Sequence, residues 1–301
     1  MLFSSPGADQ TASDYAQQIL IDVSAAFGHT FSLLEEAFQK SVDADETVTD
    51  SAADACQQCQ AVFVSDADCP GIQALYDALG LSLRIRSFSV PPALCGRHES
   101  PVSLYVGQVL SLDEATLHDA AASAFRFAQE QDVRLCAVPP SGGAGSAWDA
   151  ALRAQEALTG AVGLSVCSAP EAISAMITSP ERQGLLLCPP YAGSIFLAAG
   201  TALCSHPEAM HEFAFQGDCP GVYAPVSFAA PEGPQPFSAA LAVAKMLRYS
   251  LKLPREGACV EAAVLNVLAN RDPGQDGLEH LSRICEQITV AGELMTRGGI
   301  G

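Results

Sequence analysis

The chain has 301 residues, 49% of them apolar, enough to build two packed domains. Only 16% are charged, the net charge is −19, and Lys and Arg are nowhere clustered. That excludes nucleic acid, whose phosphates demand grouped cations, and an anionic membrane surface, and it suits a cytoplasmic protein.

The opening segment has neither a basic region nor a long apolar run, so no signal peptide is expected. LFSS, PGAD and the amphipathic stretch Ala12–Phe27 read as strand, turn and helix. A polar segment, Ser41–Asp54, reads as a loop feeding a short helix. Ala61–Ser65 is a buried strand, and Ile72–Leu79 is a helix ended by Gly80. Leu83–Val90 alternates like an edge or half-buried strand, and Pro91-Pro92 marks a domain crossing. Ser103–Val109 is a strand, and Leu112–Glu130 is a helix with Asp113 at its start. Strand Arg134–Val138 leads through a Pro-Pro-Ser-Gly-Gly-Ala-Gly turn into helix Ser146–Leu158. Val162–Cys167, Pro170–Ile177 and Gly184–Cys188 continue as strand, helix and strand. Phe213–Phe215, then helices Phe237–Leu251, Cys259–Leu268 and Leu278–Gly292, complete the chain.

Alternation of this kind predicts an α/β fold with a largely parallel central sheet flanked by helices. Gly184–Cys204 carries no charge over 21 residues, but Pro189, Pro190, Gly193 and Gly200 make it a buried strand, turn and buried helix rather than a membrane span. The eleven cysteines are scattered, so reduced thiols are expected. Cys56-Gln-Gln-Cys59 has no partner pair or nearby histidine that would make it a metal or redox motif. His98, His118, His206 and His211 show no metal-ligand spacing.

Several segments, taken in order, resemble the isopropylmalate/isocitrate dehydrogenase family. Ala61–Gly71 and Leu83-Arg84 look like the family's nucleotide-side strand and its "LR" strand. Thr178–Leu187 resembles "RSPxxFDVVV", and Ala192–Leu197 resembles "FGDILSD". Tyr223–Glu232 resembles "FEPVHGSAPD", and Gln235–Leu247 resembles "NPTAAILSAAMML". No motif is intact. The resemblance implies an isopropylmalate dehydrogenase-like two-domain fold, with residues 1–91 and 206–301 forming the nucleotide-side domain and 92–205 the substrate and dimerisation domain. It also implies a homodimer, or pairing with an active paralogue, with Gly193–Leu203 as an interface helix.

Members of that family oxidise a 2-hydroxy acid with a nicotinamide cofactor and decarboxylate the product, using three aspartates on a divalent cation and a mid-chain lysine. The matching positions here are Pro170, Ser194 and Ala198 for the aspartates and Pro140 for the lysine. The only lysines in the chain are Lys40, Lys245 and Lys252, and no aspartate lies between Asp149 and Asp218. Mg²⁺ or Mn²⁺ binding is therefore not expected, and proline has no proton to exchange. Arg84, with Arg86 and Arg97 as helpers, remains to grip a carboxylate. On the cofactor side, Glu232 can accept from a ribose hydroxyl and Gln235 replaces the family's Asn, so no cofactor is expected beyond weak binding of NAD.

The turn Ser141-Gly142-Gly143-Ala144-Gly145, between a strand and a helix, offers backbone N–H groups to a small anion, or simply replaces the lost catalytic loop. Three functions compete: a non-catalytic binding or regulatory homologue, an enzyme reusing the cleft for a carboxylated or phosphorylated metabolite, and an active NAD-dependent decarboxylating dehydrogenase.

Overall fold

The computed structural model describes residues 2–4, 11–37, 39–40, 46–47, 50–69, 71–90, 102–160, 162–226, 236–271 and 274–298. It has the expected α/β architecture, and its strands fall into two compact units. One unit comprises Met1–Leu79, His211–Phe213 and Asp218–Gly301; the other comprises Gly80–Met210 and Ala214–Gly217. The division falls at Gly80, ahead of the Pro91-Pro92 pair that marks it in the sequence.

The first unit contains strands β1 (Leu2–Ser4), β2 (Glu35–Ala37), β5 (Ala61–Val64), β11 (His211–Ala214, whose last residue groups with the second unit) and β12 (Gly221–Pro225), in the order β2-β1-β5-β12-β11. The pairs β1–β2, β1–β5 and β12–β5 are parallel. A separate antiparallel pair joins β3 (Gln39–Lys40) to β4 (Glu46–Thr47). Helices α1 (Thr11–Phe27), α2 (Asp50–Gln58), α3 (Ile72–Ala78), α8 (Pro236–Tyr249), α9 (Pro254–Ala269) and α10 (Gly277–Gly298) belong to the same unit.

Helix α8 is the core of this unit, with every residue from Pro236 to Leu247 buried. Its charged members survive there because they are paired. Lys245 donates to Glu261 at 2.7 Å, and Arg248 donates to the same carboxylate at 3.1 Å. Burial alone would raise the Glu261 pKa, but Lys245 and then Arg248 overcome it and hold the carboxyl below its usual range. Buried Glu212 accepts from the Tyr76 hydroxyl at 2.8 Å.

The second unit contains β6 (Leu83–Val90), β7 (Val102–Val109), β8 (Leu135–Ala137), β9 (Leu164–Val166) and β10 (Leu185–Cys188), in the order β6-β7-β10-β8-β9. Strands β7, β10, β8 and β9 run parallel, while β6 is antiparallel to β7. Helices α4 (Glu114–Glu130), α5 (Gly145–Thr159), α6 (Ala169–Thr178) and α7 (Pro190–Leu203) complete this unit. Asp113 caps α4 as its position suggests: its carboxylate accepts from the Thr116 backbone N–H at 3.0 Å, and the Thr116 contacts pull its pKa down to about 2. Strand β6 departs from the half-buried pattern expected of it, since six of its eight residues are buried, including Arg86.

The uncharged segment Gly184–Cys204 forms β10 and α7, and no helix among the described residues is long and apolar enough to cross a membrane. Cys56 is buried on α2, and no group of His, Cys, Asp or Glu among the described residues is arranged to hold a metal ion.

Gly184 enters β10 with φ +59, and a Cβ there would lie 2.5 Å from the Arg134 carbonyl oxygen. Gly184→Ala combines left-handed strain with that clash, so thermal or urea unfolding should show a loss of roughly 2–4 kcal/mol.

Candidate functional site

Because β7, β10, β8 and β9 are parallel, the loops that follow them emerge at one edge of the second unit's sheet. That edge is where ligands bind in open α/β sheets. It collects residues 110–113 after β7, 138–144 after β8, 167–168 after β9 and Pro189 after β10. Arg84 belongs to the same edge, because antiparallel register sets it opposite Gln108 near the end of β7.

The Arg84 side chain is committed within the unit. Its Nε and one terminal nitrogen donate to Gln108 Oε1 at 2.9 and 2.6 Å, and Gln108 Nε2 donates to the Pro190 carbonyl at 2.7 Å. Behind it lies buried Cys188, whose thiol burial pushes up to about 12 against the opposing pull of Arg84. Helix α7 comes this close to the sheet because it presents glycine where it crosses the strands. A Cβ on Gly193 would collide with the Gln108 amide, and one on Gly200 would lie 2.8 Å from the Phe88 ring. With Ala192, Gly193, Phe196 and Gly200 facing inward, the opposite face, Tyr191, Ser194, Ile195 and Ala198, is exposed. The helix is therefore not wholly buried within its unit, as its apolar sequence suggests; Tyr191 and Ile195 are 54% and 57% exposed.

Ser194 and Ala198 are four residues apart, one helical turn, on that open face. Pro170 is exposed in the first turn of α6, next to Glu171, whose carboxylate is used locally. It accepts from the Ser168 backbone N–H at 2.8 Å and the Ser168 hydroxyl at 2.7 Å in a capping box. Pro140 is buried, and Ser141, Gly142 and Gly143 are exposed just beyond it. Gly142 has φ +87, and nothing lies within 4 Å of where a Cβ on Gly142, Gly143 or Gly145 would stand, so the turn is open. Its first donor is already engaged, because the Ser141 backbone N–H donates to the Tyr191 hydroxyl.

The donor set at Pro140, Pro170, Ser194 and Ala198 does not fit a divalent cation: one hydroxyl stands where hard-cation sites need several carboxylate oxygens. Arg97, Glu232 and Gln235 lie outside the described residues. Gln108 and Tyr191 are the members of this cluster that the sequence did not single out. Only cross-strand register and the approach of α7 reveal them. A cavity of about 460 Å³ in the first unit, lined in part by Phe31, Leu34, Ala61 and Met246, sits at the N-terminal end of β5, away from the usual ligand edge.

No family model matches this sequence. Over 89 residues it is 37% identical to the 3-isopropylmalate dehydrogenases of Neurospora crassa and of Sordaria macrospora, a match covering 28% of this chain and 23% of each of theirs. The fold compares closely, with a TM-score of 0.73, with a crystal structure of a β-decarboxylating dehydrogenase from Thermococcus kodakarensis in its apo form. That alignment covers 100% of this chain and 98% of the other at 16% identity. The chain is related to the isopropylmalate and isocitrate dehydrogenases. The chain shares the architecture of that solved structure, and it is the sequence resemblance that sets Pro140, Pro170, Ser194 and Ala198 at the positions of the family's lysine and aspartates.

The Arg84–Gln108–Pro190 bridge and Gly193 form one mechanical unit, which a double-mutant cycle measures. Gly193→Ala should cost roughly 1–3 kcal/mol by overpacking, and Gln108→Ala about 1.5–3 kcal/mol by removing the acceptor of a charged donor. The double variant should be less destabilised than the sum by roughly 1 kcal/mol or more, because the shortened side chain makes room for the new methyl.

Proposed function

We propose that this chain is a non-catalytic homologue of the decarboxylating dehydrogenases, lacking metal-dependent oxidative decarboxylation and serving as a binding or regulatory protein. The observation carrying this reading is the chemistry of the matched positions. Ser194 and Ala198 share one exposed face of α7, and neither is a carboxylate. Pro140 is buried and offers no exchangeable proton. A bound cation would polarise a substrate hydroxyl, but these side chains supply too few oxygens to hold it.

The alternative, an enzyme reusing this edge for a carboxylated or phosphorylated metabolite, draws support from the open glycine turn Ser141–Gly145. Against it, the Arg84 guanidinium is held by Gln108, and Ser141 spends its N–H on Tyr191. A ligand would have to displace internal bonds to reach either, which lowers its affinity by the cost of breaking them.

Assays with NAD or NADP, Mg²⁺ or Mn²⁺ and 3-isopropylmalate or isocitrate should yield no reduced nicotinamide above background. Loss of the metal and lysine together removes at least ~10⁴-fold in rate. Turnover within a hundredfold of an intact dehydrogenase would sink the reading.

We also infer that the protein is a homodimer built on the exposed face of α7, in the cytoplasm. Tyr191, Ile195 and Ala198 form a continuous apolar strip there, and apolar surface of that kind is stabilised by a partner. Sedimentation should give a dimer for the wild type and a monomer for Ile195→Glu, since a carboxylate buried at an interface centre is strongly unfavourable.

A further inference from the structure

In the second unit, Cys136 on β8 and Cys167 immediately after β9 bring their Sγ atoms to 2.9 Å, across 31 residues of chain that include α5. The approach is built by the backbone rather than by chance rotamers. Strands β8 and β9 pair in parallel register, Cys136 opposite Ser165, and the Cys167 N–H donates to the Ala137 carbonyl at 3.1 Å. A disulfide needs about 2.05 Å, so the two sulfurs must close by only about 0.9 Å. Cys136 is 7% exposed and Cys167 half-buried, so one thiol can be reached from solvent while the other waits behind it.

We propose that Cys136 and Cys167 form an oxidisable dithiol, a modification site that a small-molecule disulfide of the glutathione type converts to an internal disulfide tying β8 to β9. In the first step the Cys167 thiolate attacks one sulfur of glutathione disulfide, forming a mixed disulfide and expelling one glutathione thiolate. Cys136 then gives up its proton and attacks the Cys167 sulfur, forming the internal bond and expelling the second glutathione thiolate. Two cysteine thiols are oxidised, one glutathione disulfide is reduced to two glutathiones, and the two protons end on the expelled thiolates.

Burial, with the neighbouring Cys136 thiol and Glu171 adding to it, pushes the Cys167 pKa up to about 12. Formation is therefore slow at neutral pH, because little thiolate is present. Reduction is slow as well, because Cys167 is only half-exposed and Cys136 is buried behind it, so an external thiolate reaches the bond poorly. The pair behaves as a sink that, once oxidised, stays oxidised longer than an exposed cysteine.

Trypsin tests this directly, since cleavage after Arg134, Arg153 and Arg182 puts Cys136 and Cys167 alone on the peptides 135–153 and 154–182. After the full-length protein is equilibrated with glutathione disulfide, alkylated and digested, these two peptides should appear joined, with a mass equal to their sum less two hydrogens. Dithiothreitol should release them at least about ten-fold more slowly than it releases glutathione from the exposed Cys219. In Cys136→Ser the cross-link should vanish and a Cys167–glutathione adduct should accumulate. The proposal fails if wild-type Cys136 and Cys167 remain alkylatable, or if Cys167 carries glutathione without cross-linking. The wild-type peptides decide it even where the variant is unstable.

Discussion

The Gln108 side chain is the tie on which the geometry of the second unit depends. It accepts twice from Arg84 and donates to the Pro190 carbonyl, so one amide joins β6, β7 and the start of α7. Hydrogen bonds that involve a charged guanidinium are worth more than neutral ones, so taking the Gln108 oxygen away from half-buried Arg84 would be costly. The bridge works only because Gly193 leaves the amide its space, and Gly200 does the same for the Phe88 ring further along the helix. Once these contacts set the rotation of α7, everything on its other face is decided. Tyr191 is turned toward the Ser141 turn, and Ser194, Ile195 and Ala198 are turned outward.

The same economy governs the buried cations. Against 34 acidic residues the chain has only 15 Lys and Arg, and several of those are spent inside the molecule. Lys245 and Arg248 converge on Glu261 in the first unit, Arg84 is tied to Gln108 in the second, and Arg86 is buried in β6. A buried ion pair is justified mainly by what breaking it would cost, so these groups act first as structural elements.

Architecture and chemistry are separable in this chain. The scaffold compares with a decarboxylating dehydrogenase over its whole length, while Pro140, Pro170, Ser194 and Ala198 stand where the sequence resemblance sets the family's lysine and aspartates. Three of these four positions are exposed, and Pro140 alone is buried. Ser194 and Ala198 lie on the open face of α7, and Pro170 lies in the exposed first turn of α6, so replacing a carboxylate there costs the fold little. Exposed faces and loops can carry different side chains on one fold, because the core does not depend on them.

Much of the fold was legible from the residues alone. Apolar runs such as Ala61–Val64 and Leu185–Leu187, and the capping Asp113 ahead of an amphipathic stretch, report local preferences that burial later reinforces. The polar strands β2, β3 and β4 escaped notice because their pairing is not written in local hydropathy. Strand β12 was hidden by its terminal Gly221 and Pro225. The identities at the four matched positions were likewise available in the sequence. The inner and outer faces of α7 were not, because a helix apolar on all sides carries no directional signal. The meeting of Arg84 with Gln108, 24 residues apart, and of Cys136 with Cys167, 31 apart, was equally invisible. Those contacts follow from strand register, which is set by the packing of the whole unit and not by any segment taken alone.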